Sequence, residues 1–229
     1  MRYLPIKCSF RAIFSNDTSS IGIGAMIVFI AMILVAGIAA SVLIQTSSKL
    51  ESQGLKTGQE TRTEVSSDID VIQIFGHYNV RTIDGTPYPR YHNMSIMVTP
   101  RGGSDIDLSE VIVEISNGSK MIILSWDNNK YASQSSGTGI FSTPEVFNLT
   151  ASNFGIVVIE DGDGSCDSTS PVINQGDKAI ITVNLSACFN GLKRRDYVKG
   201  MVIGEHGGSP GIFLFRVPKT ASASVVEFL

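Results

Sequence analysis

The stretch IGIGAMIVFIAMILVAGIAASVLI, residues 21–44, contains 24 residues without a single charge. About 20 apolar residues in a helix are enough to cross the hydrocarbon layer of a membrane. The run is too long for the apolar part of an ordinary secretory signal, which has about 7–15 residues and is discarded after cleavage. The sequence therefore predicts a long membrane-spanning helix that the mature protein keeps.

A short polar leader precedes the apolar run. Its basic residues Arg2, Lys7 and Arg11 favour a cytoplasmic N-terminus, so everything after Ile44 is expected outside the cell. A cut in the polar segment 16–20 would remove the leader and leave the helix in place. We therefore expect a cleaved leader at residues 1–19, a long helix at residues 20–70 and an exported domain at residues 71–229.

The composition suits one exported globular domain. Some 185 residues follow the apolar run, which is an ordinary length for a single domain. The formal charge is −3, and removal of residues 1–19 takes away three basic residues and one acidic residue, which gives −5. A mildly acidic chain lacks the basic surface that nucleic-acid binding requires. No nucleic-acid partner is expected.

From Val71 onward the sequence changes to short apolar or alternating runs separated by turn residues. Eight or nine such runs are visible, and Asn117-Gly118 between two of them is the strongest hairpin signal. No long helical period follows residue 75. The pattern indicates an antiparallel sandwich or barrel. The predicted fold class is therefore α+β, with one long N-terminal hydrophobic helix followed by an antiparallel, Ig-like β-sandwich.

The exported domain lacks the common catalytic motifs. The histidines His77, His92 and His206 are scattered, and no pair of Cys or His residues has zinc spacing. There is no G-x-S-x-G elbow, no P-loop and no His-Glu-x-x-His. The sequence predicts no enzymatic activity and requires no cofactor.

One loop, EDGDGSCD at residues 160–167, concentrates oxygen ligands at alternating positions. Such a spacing is typical of Ca²⁺-binding loops. An EF-hand would have Gly at Cys166 and Glu at Val172, so the match is incomplete. Two interpretations stay open, a structural Ca²⁺ site and a solvated acidic turn. The candidate ligands are Asp161, Asp163, Ser165 and Asp167.

Two cysteines remain once Cys8 of the leader is set aside. Cys166 and Cys188 form an even pair in the exported domain, and a disulfide between them would stabilise the domain by constraining the unfolded chain. Two buried free thiols are the alternative, because sequence does not show whether the Cα atoms come close enough for a bond.

Asn-x-Ser/Thr sequons recur in the exported domain. Each is an acceptor for N-glycosylation wherever it is accessible at the surface. Chance recurrence in a chain rich in Ser and Asn is the alternative. The sequons begin at Asn93, Asn117, Asn148 and Asn184, and a fifth begins at Asn16 in the leader.

The run IGIGAMIVFIAMILVAGIAASVLIQTSSKLESQGLKTGQET resembles the N-terminus of the archaellins, the archaeal flagellins of the type IV pilin-like superfamily. The segment KGMVIGEHGGSPGIFLFRVP also resembles their pattern of a strand, a Gly-rich turn and a closing strand. The resemblance implies cleavage by a membrane peptidase of the prepilin type at Ser19-Ser20. The leader departs from the family pattern, because archaellins usually carry a basic residue and Gly where Asp17, Thr18 and Ser19 stand. We therefore expect the cut within about two residues of Ser20.

The resemblance further implies a structural subunit of the archaellum filament, used for swimming. The precursor would be inserted transiently in the membrane, and the mature chain would polymerise outside the cell with itself and related archaellins, aided by the archaellum assembly and motor machinery. A helix apolar on every side is stable only in lipid or inside a protein bundle. An adhesive pilin subunit and a monomeric membrane-anchored surface domain are the alternative functions. The expected filament-core residues are Ile23, Ile27, Ile30, Leu34 and Ile38.

Overall fold

The computed structural model describes residues 17–83, 86–133, 139–205, 207–219 and 224–229. The leader up to residue 16, with Cys8 and the sequon at Asn16, lies outside the described residues, as does His206. The chain divides into two compact units, Met1–Thr57 and Gly58–Leu229.

The helix α1 (Asp17–Ser66) is 50 residues long. Every side chain from residue 21 to residue 60 is exposed, including the whole apolar run. Ile21–Glu64 is long and apolar enough to cross a membrane. The predicted long apolar helix is therefore confirmed.

The helix ends four residues before the predicted boundary. Ser67 leaves the helix and its hydroxyl donates to the Thr63 carbonyl at 2.5 Å, which satisfies one of the free carbonyls of the last turn. The Asp68 carboxylate then accepts the Ser209 amide at 2.7 Å. These bonds turn the chain into its first strand, which begins at Ile69.

The strands are β1 (Ile69–Ile83), β2 (Thr86–Pro100), β3 (Ile106–Asp107), β4 (Ile112–Ser116), β5 (Met121–Ser133), β6 (Asn153–Glu160), β7 (Val172–Ile173), β8 (Lys178–Asn184), β9 (Tyr197–Ile203), β10 (Gly211–Arg216) and β11 (Val225–Glu227). Within the described residues, nine of them form one mostly antiparallel sheet in the order β10-β9-β4-β5-β6-β8-β2-β1-β11, and β3 pairs with β7 separately. Only the β5–β6 pair of the large sheet is parallel. A 3-10 helix (Pro144–Phe147) precedes β6, and α2 (Leu185–Phe189) follows β8.

The sheet folds onto itself in two layers around a single large core. We call β10, β9, β4 and the first half of β5 the first layer, and β6, β8, β2, β1 and β11 the second layer. The two ends of the sheet meet where the Phe215 ring of β10 stacks on Phe228, which follows β11, at a centroid distance of 4.7 Å. Strand β10 alternates buried and exposed side chains, as expected for a strand with one face on a core.

The outer face of the second layer is covered by the chain itself. Val146 of the 3-10 helix packs against Val157 of β6 and Ile180 of β8. Gly155 permits this close approach, because a β-carbon there would lie 2.7 Å from Val146 Cγ1 and 2.8 Å from the Val146 carbonyl oxygen. Strand β8 is consequently buried on both faces from Ala179 to Val183.

Gly155→Ala is expected to lower the free energy of unfolding by about 1–3 kcal/mol, because the added methyl group must displace the 3-10 helix. Urea unfolding of the full chain in detergent, followed by the fluorescence of Trp126, the only tryptophan, would measure it. The control is Gly103→Ala, where an added β-carbon meets nothing within 4 Å. An equal effect of the two substitutions would contradict this packing argument.

Candidate functional site

The apolar side chains of α1 at residues 21–44 are all exposed. The five predicted core residues recur every three or four positions, which places them on one side of the helix. They are 51–66% exposed, and large apolar side chains such as Met26 and Phe29 are equally exposed on other sides. Full burial of each aliphatic side chain would contribute about 1.5–3 kcal/mol. Such a surface suits contact with lipid or with other apolar helices. The predicted residues are Ile23, Ile27, Ile30, Leu34 and Ile38.

The structure brings three carboxylates together at the acidic loop. One oxygen each of Asp161, Asp163 and Asp177 lie within 4.8 Å of one another. Asp177 was not among the predicted ligands, because it comes 14 residues after Asp163 in sequence. Strands β6 and β8 pair antiparallel, with Glu160 opposite Lys178. This pairing brings Asp177, just before β8, close to Asp161, just after β6. Asp177 directly precedes β8, and this position before an apolar strand is the sequence signal that could have identified it.

Backbone amides organise the three carboxylates. Asp161 accepts the amide of Gly164 at 2.7 Å and that of Cys166 at 3.2 Å. Buried Asp177 accepts the amides of Gly162 and Asn174 at 3.2 and 2.9 Å. The carboxylates therefore fix the shape of the loop in addition to concentrating negative charge.

The other two predicted ligands, Ser165 and Asp167, differ in how they lie relative to the three carboxylates. Ser165 lies beside Asp163, and the Asn174 side-chain amide donates to both, at 2.6 Å to Asp163 and 3.1 Å to Ser165. Hydrogen bonds from Ser165 lower the pKa of Asp163. Asp167 is not part of the carboxylate group. Its Oδ1 accepts hydrogen bonds from the Thr169 hydroxyl and from the amides of Thr169 and Ser170. These bonds lower the pKa of Asp167 and hold its side chain in the turn at residues 167–170.

The predicted disulfide between Cys166 and Cys188 is wrong. Both residues are free and buried, so the alternative of two buried thiols is correct. Cys166 is held by an isolated bridge to Pro171, and the Cys188 sulfur faces the Ala151 carbonyl at 3.8 Å. Because separate contacts hold the two residues, the sulfurs do not meet.

Both thiols are protonated at neutral pH. Burial, with smaller contributions from Asp161 and other nearby carboxylates, raises the pKa of Cys166 to about 12. Burial raises the pKa of Cys188 to about 11, against an opposing effect of Lys120. Thiols that do not ionise are poor nucleophiles, so these cysteines serve as core side chains.

Two sequons lie in connections between elements, outside the strands and helices. Asn148 is exposed just after the 3-10 helix, and Thr150 of the same sequon is also exposed. Asn117 stands at the tip of the β4–β5 hairpin, where its Oδ1 accepts the amides of Ser119 and Lys120. The acceptor Asn148 and the sequon residues Ser119 and Thr150 are exposed.

The other two sequons lie within packed structure. Asn184 caps α2, and its Nδ2 donates to the Leu149 carbonyl at 3.1 Å. Asn93 is half-buried in β2 opposite Asn184, and Ser95 of its sequon is fully buried. A glycan at either position would require these strands to separate.

Comparison with known proteins gives a consistent result. The model of the archaeal-type flagellin family matches residues 19–212. Flagellin B2 of Methanocaldococcus jannaschii is 39% identical over 201 residues, which cover 87% of this chain and 88% of that protein. Flagellin B3 of the same organism is 41% identical over 211 residues, with coverages of 90% and 94%. The crystal structure of archaeal flagellin FlaB1 from M. jannaschii superposes with a TM-score of 0.59 at 26% identity, covering 71% of this chain and 96% of that one.

We expect any N-linked glycan at Asn148 and Asn117, and none at Asn93 or Asn184, since the first two sequons lie in connections with an exposed Ser or Thr, whereas the other two are held in packed structure. Mass spectrometry of peptides from the native protein would map the occupancy. Asn148→Gln and Asn117→Gln should each remove one glycan mass, whereas Asn184→Gln should leave the mass pattern unchanged. A glycan on Asn93 or Asn184 would show that modification precedes folding.

Proposed function

The chain belongs to the archaeal-type flagellin family, and from this premise we propose that its apolar helix acts first as a membrane anchor and then as the core of a filament. The protein is a structural subunit of the archaellum. The observation that supports the two roles of the helix is its exposure on every side from residue 21 to residue 60. Within lipid and within a bundle of copies the same side chains are covered, so one sequence satisfies both environments.

We propose that a prepilin-type peptidase cuts the precursor at Ser19-Ser20 or within about two residues of it. The family match begins at residue 19, which supports a mature chain that starts close to this position. After cleavage, the helix leaves the membrane and polymerises with copies of itself and related archaellins. Assembly and motor proteins of the archaellum would act on this polymer, and the β-domain would lie outside the cell.

We also propose that the acidic loop binds a structural Ca²⁺ ion. The donor set fits a hard cation, because Asp161, Asp163 and Asp177 supply carboxylate oxygens at close range. An ion would offset the repulsion among three negative groups that the backbone amides already hold in place. Asp163 and Asp161 were predicted ligands, and Asp177 replaces Asp167 in the proposal.

Ile30→Asp is expected to abolish filaments, because a buried carboxylate cannot be accommodated in an apolar helix bundle. Shearing of cells followed by sedimentation and electron microscopy would detect the filaments, and loss of swimming would accompany their loss. Ile30→Val, which keeps the apolar character, is the control. N-terminal sequencing of filaments from the parent chain should begin within about two residues of Ser20. Normal filaments from Ile30→Asp, or filaments that retain Arg2 and Lys7, would overturn the proposal.

Millimolar Ca²⁺ is expected to raise the melting temperature of the protein over that in chelator, because an ion bound only by the folded state adds to its stability. Asp163→Asn should abolish this rise, whereas Asp167→Asn should keep it, since Asp167 lies outside the carboxylate group. Scanning calorimetry of both variants, with and without Ca²⁺, makes the comparison. Identical melting curves of the parent protein in Ca²⁺ and chelator would identify the loop as a solvated turn.

A further inference from the structure

A basic pocket lies where β10 ends beside the loop that precedes β9. Arg195, Arg216 and Lys219 line this cavity together with Val217 and Pro218, and its volume is about 410 Å³. All three cationic side chains are exposed, and among the described residues none of them forms an ion pair. The pocket therefore gathers three positive charges without a carboxylate in contact with them.

The sequence around the pocket is basic although the chain as a whole is acidic. Residues 206–226 contain no Asp or Glu, and residues 193–195 are three consecutive cations. The Asp196 carboxylate accepts the Lys193 amide at 2.8 Å, so it closes the turn of the loop and does not line the pocket. Charges more than about 8 Å away are largely screened at physiological ionic strength. An anion at the pocket would therefore respond to the local cations and not to the net charge.

Backbone pairing fixes the position of Arg195 beside Arg216. The Arg195 amide donates to the Val217 carbonyl at 2.9 Å, and the Val217 amide donates to the Asp196 carbonyl at 2.9 Å. Two residues thus oppose one, which is a β-bulge at the end of the β9–β10 pair. The Arg216 Nε donates to the Arg195 carbonyl at 3.2 Å. The Arg216 guanidinium is therefore held against the same loop that carries Arg195.

Arg195 occupies a backbone position that favours glycine. Its φ is +71°, and a bulge with this hydrogen-bonding pattern has Gly at this place as a rule. Among the other described residues, positive φ is found only at five Gly residues and at Asn190. A long side chain held in this region is strained, and such residues concentrate at functional sites. The strain is explained if the Arg195 side chain itself is required at the pocket.

The donors of the pocket suit an anion with several oxygens. A guanidinium presents its N–H groups as a planar fork, which pairs with phosphate or sulfate oxygens through two hydrogen bonds at once. The backbone occupies Nε of Arg216, and its two terminal nitrogens remain for such a contact. Three positive charges match the multiple charge of phosphate or sulfate better than the single charge of a carboxylate. The volume falls in the range of about 300–1,000 Å³ that binds organic ligands, so the anion can be part of a larger molecule.

We propose that the basic pocket binds a phosphate or sulfate group, either as the free ion or as the charged end of an organic ester. Arg195 and Arg216 hold its oxygens, and Lys219 adds a third positive charge. The site is formed within one chain, so it is independent of the proposed polymerisation. It gives the β-domain an anion site separate from the acidic loop, which would take a cation.

Isothermal titration calorimetry of the full chain in detergent tests the proposal, with chelator present so that the acidic loop holds no Ca²⁺ for an anion to contact. Inorganic phosphate, inorganic sulfate and glucose 6-phosphate are the probes, with glucose as the uncharged control, all at equal ionic strength. Saturable binding of an inorganic ion would show that the free anion is sufficient. Binding of the ester alone would show that an organic carrier contributes, and both results support the proposal. No saturable binding of any of the three would overturn it.

Arg216→Gln should weaken this binding at least about tenfold, because it removes hydrogen bonds between two charged groups. Lys199→Gln is the matched control, since it neutralises an exposed cation of β9 outside the pocket. The control should bind the anion as the parent chain does. Equal binding by Arg216→Gln and the parent chain would place the anion elsewhere and overturn the inference.

Arg195→Gly separates the role of the side chain from that of the backbone. Glycine adopts a φ of +71° without strain, so this variant should melt at a higher temperature than the parent chain in chloride alone. It should nevertheless bind the anion at least about tenfold more weakly, since a charged donor is lost. A lower melting temperature would show that Arg195 stabilises the fold itself, and unchanged affinity would show that its side chain is not used. Either result would overturn the inference.

Discussion

A helix with apolar side chains on every face must be covered by something other than water. In this chain the constraint falls on residues 21–44, and the described structure supplies no cover for them. The β-domain contrasts with the helix, because its core is enclosed by its own two layers. One part of the molecule therefore folds by internal burial, while the apolar helix depends on its surroundings for cover.

The polar half of the helix, residues 45–60, is also exposed along its whole length. Residues 45–60 carry few apolar side chains, and Leu50 and Leu55 remain exposed. Such a segment gains little from packing on its own domain, and its helicity depends on the continuous hydrogen bonding that the apolar half begins.

Much of this architecture could be predicted from sequence, because it depends on local patterns. The uncharged run predicted the long helix, and Asn117-Gly118 predicted the β4–β5 hairpin. The errors concern pairs that are distant in sequence. Asp177 joins the acidic loop only through the register of β6 and β8, and the separation of Cys166 from Cys188 depends on tertiary packing. The basic pocket could not be identified either, since Arg195 lies beside Arg216 and Lys219 only through the pairing of β9 with β10.

The pairing of β1 with β11 determines when the domain can be completed. Gln73 of β1 is hydrogen-bonded to Glu227 of β11 across 154 residues, and the Phe228 ring occupies the space above Gly76. Contacts of such long sequence separation form late and slowly. Strand β1 is therefore synthesised long before its partner strand β11. The domain is therefore completed only when β11 is available to pair with β1.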